Sequence, residues 1–487
     1  MSDVYMPGLK SRFNSEKTIE DLMKLERVPK EKAEKNIEDM QARRTWWQDL
    51  GRRVTTFRES AQMLFSFQNP FNERTAFSSN ENVISAAATR AADEGEYQFT
   101  VRQLAQADRY LSSPLDEKMN IEAGTYGFTL GDDEISFNFK GGTLREFADV
   151  VNRQGRGKIN ASLITVQPGT KSLLLESKIT GAENSLGFTG DAATLAESLK
   201  SIAAAQDAVI DMAGIEMIRP SNTINDIIPG VTITVRGISE RPERLEIRPD
   251  REGIKDAIIS LVGNYNRLMA ELNVLTRPVP DKTDTRIIDE LTYLDKDEVD
   301  EMKKRLGAFS GDTTLTQFRS NLVRAVSAPY PIDDQYDLSL LAQIGISTNG
   351  SRSAGAAYNP SRLRGYLDID EATLDKAMEQ NLPAIRQLFA YDTTGDLLVD
   401  TGVAFNLHTL SKPFDGKELG GMISLKTGTI DSRISQDKRR IDTMERQLAA
   451  KEADLKVQYS RMESAYDRME RMSSSLDNFS QRNNNNR

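Results

Sequence analysis

Cysteine is absent from this 487-residue chain, and histidine occurs once. Without thiols there is no disulfide, no thiolate nucleophile and no sulfur-ligated metal. One histidine cannot build a cluster of imidazole ligands within one chain. That residue, His408 in FNLHTL, has no partner motif around it and is expected to be an ordinary packed or surface side chain. No stretch approaches the ~18 consecutive apolar residues of a membrane-spanning helix. The first residues, MSDVYMPGLKSRFNSEK, lack the apolar core of a cleaved secretion signal. Basic groups are in the minority, 63 against 73 acidic, and the net charge of −10 speaks against a nucleic-acid binder. A chain without cysteine suits a cytosolic life, and suits equally a protein that travels unfolded between redox compartments.

Catalytic chemistry is poorly supplied as well. GTYGFTLGDD (124–133) contains glycines but not the strand-to-helix spacing of a phosphate cradle, and GKELGG (416–421) does not match a P-loop. Asp333, Asp334 and Asp337 in IDDQYD lack the alternate spacing of a calcium loop. LDKDEVDEMKK (294–304) reads as a solvated helical face rather than a paired-carboxylate site. The expectation is a protein without enzymatic activity, cofactor or metal.

What the chain does have is concentrated first at its ends. Ile434, Ile441, Leu448, Leu455, Met462, Met469 and Leu476 recur every seventh residue, the signature of a coiled-coil seam. The companion seam position is less orderly, with Asp437, Lys451 and Gln458 among its members, so the helix should associate but weakly on its own. From Ser432 to Phe479 it would run on the order of 70 Å at ~1.5 Å per residue. The tail QRNNNNR is polar and expected to be disordered. A matching helix is available near the start. Ile19, Leu22, Met23 and Leu25 make a short stripe interrupted by Pro29, and a second helical pattern runs through Ile37, Met40, Trp47, Leu50, Val54, Phe57, Ala61 and Leu64. Each end carries two more basic than acidic groups (13 against 11 in 1–60, 12 against 10 in 431–487), so the ends can pack with little repulsion.

Between residues 75 and 250 the period changes from helical to alternating. Tyr97, Phe99 and Val101 share one strand face, and 126–144 reads as two strands around Gly131-Asp132-Asp133. LREFADVVN (144–152) is a short helix. KINASLITVQ and KSLLLESKITG are strands joined at Pro168-Gly169. Residues 191–212, rich in alanine, are expected to be helical or mobile. In RPSNTINDIIPGVTITVRG (219–237), Ile224, Ile227 and Ile228 suggest one helical turn capped by Ser221 or Asn222, ended by Pro229-Gly230 and followed by the strand of Val231, Ile233 and Val235. Leu245 and Ile247 repeat the alternation. After Asp250 the helical period returns through Ile254, Ile258, Leu261, Val262, Tyr265, Leu268, Met269 and Leu272 as far as Pro278. The fold class is α+β and multidomain: terminal helices in a coiled coil (1–45 and 430–487), a helical leg (46–78 and 250–429), and inserted β-rich head lobes, an inner one (79–112 and 214–249) and an outer one (113–213).

AGIEMIRPSNTINDIIPGVTITVRG followed by REGIKDAIISLVGNYNRLMAEL resembles the central signature of the flagellar hook-associated protein 2 family, the filament-capping family. The matching segments are Ser221–Ile224, Gly230–Thr232 and Val262–Asn266. MPGLKSRFNSEKTIEDLMKLERVPKEK resembles that family's N-terminus. LLAQIGISTNG (340–350) and GYLDIDEATLDKAMEQNLPAIRQLF (365–389) resemble its later core, VQYSRMESAYDRM (457–469) its C-terminal helix, and residues 147–184 the flagellin-associated module of such proteins. Where Tyr459 stands, the family often has Phe.

The resemblance implies a structural cap at the distal tip of the bacterial flagellum, exported through the flagellar channel without a cleaved signal. It would form a ring-shaped homo-oligomer, with a pentamer as the expected size, and promote folding and insertion of arriving flagellin. Implied partners are flagellin, the hook–filament junction proteins and an export chaperone, with no nucleic acid. The residues expected at filament and self-contacts are Leu22, Met23, Leu25, Ile434, Ile441, Leu448 and Leu455; Met462, Met469 and Leu476 are the expected chaperone contacts. Rival readings are a secreted adhesin binding a host surface through its β head, a cell-wall hydrolase for which no carboxylate is marked, and a flagellin or junction protein, against which the Ser221–Asn266 signature tells.

Overall fold

A computed structural model of the protein describes residues 15–116, 118–278, 285–289, 291, 294–348 and 364–484. The chain forms two compact units. One is continuous, Gln68–Ile254, and the other is assembled from the segments before and after it.

Helix α1 (Ser15–Met63) is 49 residues long and passes through Pro29 without a break. This corrects the expected interruption. A proline removes the hydrogen bond to the carbonyl four residues earlier, here Leu25. Both Leu25 and Pro29 lie on the exposed side of α1, where water can take that carbonyl, while the opposite side is packed. Buried Ile19, Met23, Ala33, Ile37, Trp47, Leu50, Val54, Phe57 and Ala61 follow the helical repeat.

The continuous unit is β-rich with two cores. The first lies under a five-stranded antiparallel sheet in the order Arg74–Ser78, Glu243–Pro249, Gly95–Gln103, Ala208–Met212, Ile215–Arg219, and a three-stranded sheet of Thr223–Ile224, Val231–Val235 and Ile84–Ala88. Phe99, Val101, Ile210, Ile233, Leu245 and Ile247 fill it, all from alternate strand positions as the sequence pattern requires. The second core packs α2 (Leu144–Gln154) against Gly124–Leu130, Asp133–Phe139 and the hairpin Ile159–Gln167/Thr170–Ser177. Phe147 of α2 meets Tyr126 at 4.8 Å and Phe139 at 5.3 Å between ring centroids. The Thr143 hydroxyl accepts from the Glu146 amide while the Glu146 carboxylate accepts from the Thr143 amide, a capping box that fixes where α2 begins.

Two readings of this unit need correction. In the alanine-rich 191–212 only α3 (Asp191–Ala196) is helical, and Leu199–Ala203 and Ala208–Met212 are strands. Their neighbours supply the ladder partners, Arg109–Ser112 and Gly95–Gln103, so tertiary pairing overrides alanine's helical preference. Residues 224–228 do not form a helical turn either. Ile224 pairs with Ile233 in a short strand, and the Ser221 hydroxyl and Asn222 amide are used in turn and bridge contacts instead of capping.

The chain returns through α4 (Arg251–Thr276), followed by α5 (Arg286–Asp289), α6 (Lys296–Lys304), α7 (Thr313–Ser327), α8 (Glu371–Phe389), α9 (Val403–Ser411) and α10 (Met422–Asn484). The eight apolar positions read from Ile254 to Leu272 are all buried. Residues of α6 are mostly exposed, as a solvated face should be. At 63 residues α10 exceeds the expected span in both directions and includes Gln481–Asn484 of the tail; 485–487 lie outside the described residues. Once a helix is nucleated, each further residue adds one hydrogen bond, so a polar end can continue it.

Candidate interaction site on the terminal helices

Helices α1 and α10 lie antiparallel. As numbers rise along α1 they fall along α10. Ser15 bonds to Glu463, Glu26 pairs with Lys451 (3.8 Å), Arg27 with Glu452 (3.6 Å), Lys30 with Glu445 (2.7 Å) and Arg44 with Asp431 (2.7 Å). Ala33, Ile37, Ile434 and Ile441 form the apolar seam between them, with Met40 and Ile430 against it. The polar seam position Lys451 thus has a carboxylate opposite it. Exposed pairs of this kind contribute roughly 0–1 kcal/mol each, so they set register more than strength.

The residues read from the sequence as contacts fall into three groups. Met23 (2 % exposed), Ile434 and Ile441 are buried within the pair, and Leu448 and Leu455 are half-buried. Leu22 and Leu25 (71 % exposed) face away from it. Met462, Met469 and Leu476 are exposed, in company with Val457, Tyr466 and Met472. The structure therefore joins Met23, Ile434 and Ile441 in one rod and leaves the others on its surface.

Two polar devices hold the rod to the rest of its unit, and neither was legible in the sequence. Glu271 of α4 is wholly buried, with its carboxylate 3.1 Å from Arg305 and 3.4 Å from Arg53 of α1; Arg305 also reaches Asp49 at 3.5 Å. Burial pushes the Glu271 carboxyl above its ordinary pKa, and the two arginines oppose that only in part. Asp415 accepts from the Thr55 hydroxyl and from Arg58, both of α1, at 2.5 Å, and from the Lys417 amide at 2.9 Å. Its burial would raise its pKa, but these donors hold it below the usual value. Gly416 then comes so close to α1 that a Cβ on Gly51 would stand 3.0 Å from the Gly416 Cα. His408 of α9 is half-buried and edge-on to Phe65 at 5.2 Å, a packed residue as expected.

Asparagines of the two signature segments do structural work of one type. The Asn222 side chain donates to the Ala105 carbonyl and accepts from the Ala105 amide, both at 2.8 Å. Asn266 does the same for Leu367 at 2.7 and 2.8 Å. Each amide imitates one rung of a strand ladder. Between α1 and α10, beside residues 308–312, lies an open groove of about 640 Å³ floored by Trp47 stacked on Phe309 at 4.3 Å. Among the described residues no cluster of three or more His, Asp or Glu side chains is placed to hold a metal. No described helix is long and apolar enough to cross a membrane.

The C-terminal sequence family of flagellar hook-associated protein 2 matches residues 205–471, and the corresponding N-terminal family matches 11–108. The chain belongs to the flagellar hook-associated protein 2 family. Among curated members of that family, the protein of Treponema maltophilum is 29 % identical over 91 % of this chain and 94 % of its own length. That of Treponema pallidum (strain Nichols) is 25 % identical, covering 89 % and 93 %. The B-type protein of Pseudomonas aeruginosa is 27 % identical over 76 % of each chain. In fold, the chain is similar to the D1-D2-D3 domains of the flagellar cap protein FliD from Escherichia coli, at a TM-score of 0.53 and 22 % identity over 79 % of this chain and 99 % of that one. The two family matches stop at 108 and resume at 205. The isolated bridge between Gln106 and Gln206 closes that same interval, and the buried Asp108 carboxylate ties it by accepting from the amides of Leu186 (2.7 Å) and Ala205 (2.9 Å).

Proposed function

We propose that this flagellar hook-associated protein caps the distal tip of the flagellar filament, as a ring of identical subunits that shelters and helps fold each arriving flagellin. The observation that carries the reading is the α1–α10 rod, which pairs the chain ends through Ile37, Ile434 and Ile441 yet leaves Leu22, Leu25, Val457, Met462, Met469 and Leu476 in water. An apolar stripe on a helical rod is worth ~25 cal/mol for each Å² it buries on a neighbour. Contacts of that size, spread over single exposed side chains, can be made and released as subunits are added. Leu22, Leu25, Leu448 and Leu455 are the proposed filament and self-contacts, Met23, Ile434 and Ile441 support them from inside, and Met462, Met469 and Leu476 are the proposed chaperone surface. Export through the flagellar channel, a pentameric ring, and contacts with the hook–filament junction proteins belong to the same proposal.

The proposed division keeps a terminal helix pair, a leg, an inner lobe and an outer lobe. The Gln106–Gln206 bridge supports a neck there, with the strand Ala208–Met212 on the inner side. An adhesin reading gains no support, since the relatives carry flagellar names. Deleting the gene should give cells that secrete flagellin monomers but carry no filaments, with filaments restored by the wild-type gene and not by Leu22→Asp/Leu25→Asp. Filaments of normal length in the deletion strain would refute the cap.

A further inference from the structure

Residues 391–401, YDTTGDLLVDT, form a closed loop between α8 and α9. Its ends are bridged by the Tyr391 amide to the Thr401 carbonyl (2.9 Å) and the Thr401 amide to the Tyr391 carbonyl (3.1 Å). Inside, the Asp392 carboxylate accepts from the amides of Thr394, Gly395 and Leu397 at 3.1, 2.6 and 2.7 Å, and Asp400 accepts the Thr393 hydroxyl at 2.6 Å. A loop so thoroughly bonded could tuck its apolar side chains inward. Instead Leu397 is 93 % exposed at φ +69°, and Leu398 is 69 % exposed. A non-glycine residue in the left-handed region costs about 1 kcal/mol or more, so the display of these leucines is held against strain. The loop carries three aspartates and no basic residue.

The same unit holds the complement. The groove floored by Trp47 and Phe309 is walled by the exposed Leu425 and rimmed by Arg43, which donates to the Ala308 carbonyl at 2.7 Å, and Arg433, and neither arginine has an ion-pair partner among the described residues. Lys426, also at the rim, is matched by Asp312 at 2.7 Å. The loop does not serve the groove of its own copy. It leads into α9, whose Phe405 packs on Phe65 just past the end of α1, whereas Trp47 lies about 24 Å back along that helix.

We propose that Leu397 and Leu398 of one copy seat in the Trp47–Phe309 groove of the next, with the loop aspartates facing Arg43 and Arg433. This rests on the ring reading above and names the contact that would build it. Knob and groove are different surfaces, so the contact is head-to-tail and repeats from copy to copy. Because the loop leads into the helix packed just past the end of α1 while the groove lies about 24 Å back along α1, neighbours in a closed ring must lean rather than stand parallel.

The absence of cysteine makes a clean test. Full-length Leu397→Cys and Leu425→Cys variants, one bearing a size tag, are mixed under mild oxidation at a concentration where the wild type sediments as an oligomer. The expected result is a disulfide-linked dimer of unlike chains that neither variant gives alone, together with a Leu397→Asp/Leu398→Asp variant that sediments lighter than wild type with unchanged circular dichroism. Absence of the unlike dimer while the wild type still sediments as an oligomer would overturn this contact and leave the ring standing. A wild type that stays monomeric at every concentration would overturn both.

Discussion

Replacing Glu271 by leucine tests whether the buried charge cluster acts as one unit. At 3.1 Å and an effective dielectric of ~20, the Glu271–Arg305 attraction is about 5 kcal/mol gross. Removing a carboxylate from water takes back several kcal/mol, so the intact cluster contributes little net stability. Half a cluster behaves differently. Glu271→Leu leaves Arg305, itself nearly buried, with only Asp49 at 3.5 Å. The expected loss is ~3–5 kcal/mol. Urea unfolding followed by tryptophan fluorescence reads it directly, because the only tryptophans are Trp46 and Trp47 of α1. The double variant Glu271→Leu/Arg305→Met should return to within about 1 kcal/mol of wild type. A single exchange costing under about 1 kcal/mol, or a double variant no more stable than the single, would refute the coupling.

Asp415→Asn is expected to cost roughly 1–3 kcal/mol at neutral pH: the amide oxygen can still accept from Thr55 and the Lys417 amide, but the charge is lost and the oxygen that accepts from Arg58 becomes an NH2 donor facing it. Since the folded-state pKa of Asp415 is depressed, its contribution is fully present above the unfolded value of about 4 and fades as pH falls through the folded one, so wild type and variant should converge in acid unfolding curves. Tyr265→Phe should be neutral or stabilising by up to about 1 kcal/mol, because the buried Tyr265 hydroxyl has no hydrogen-bond partner among the described residues; a loss above 1 kcal/mol in thermal unfolding would point to a bound water instead.

The start of the heptad, Ile434 and Ile441, and the helical period from Ile254 were legible because burial of one face imposes a short repeat on the sequence; Met462, Met469 and Leu476 keep the same spacing although they are exposed. The strands around Phe99, Ile233 and Leu245 were legible for the same reason. Ala208–Met212 was not, since alanine-rich composition favours a helix and the deciding partner, Gly95–Gln103, lies a hundred residues away. The Glu271 and Asp415 clusters were opaque for a related reason. Their members come from distant segments, and only the folded chain brings Arg53 and Arg305 to one carboxylate. The exposed leucines of 397–398 looked like any loop, because strain is a property of the backbone and leaves no mark on composition.

The bond from Ser15 to Glu463 closes a loop of 448 residues. Such a closure is entropically steep for an open chain, but its cost grows only with the logarithm of the slack. The continuous β unit removes much of that slack by folding on sequence-local hairpins. The first helix must then wait, with one apolar side uncovered, until the last sixty residues emerge. A chain stalled short of Met422 would therefore hold a folded Gln68–Ile254 unit while its first helix still lacked the partner that covers its apolar side.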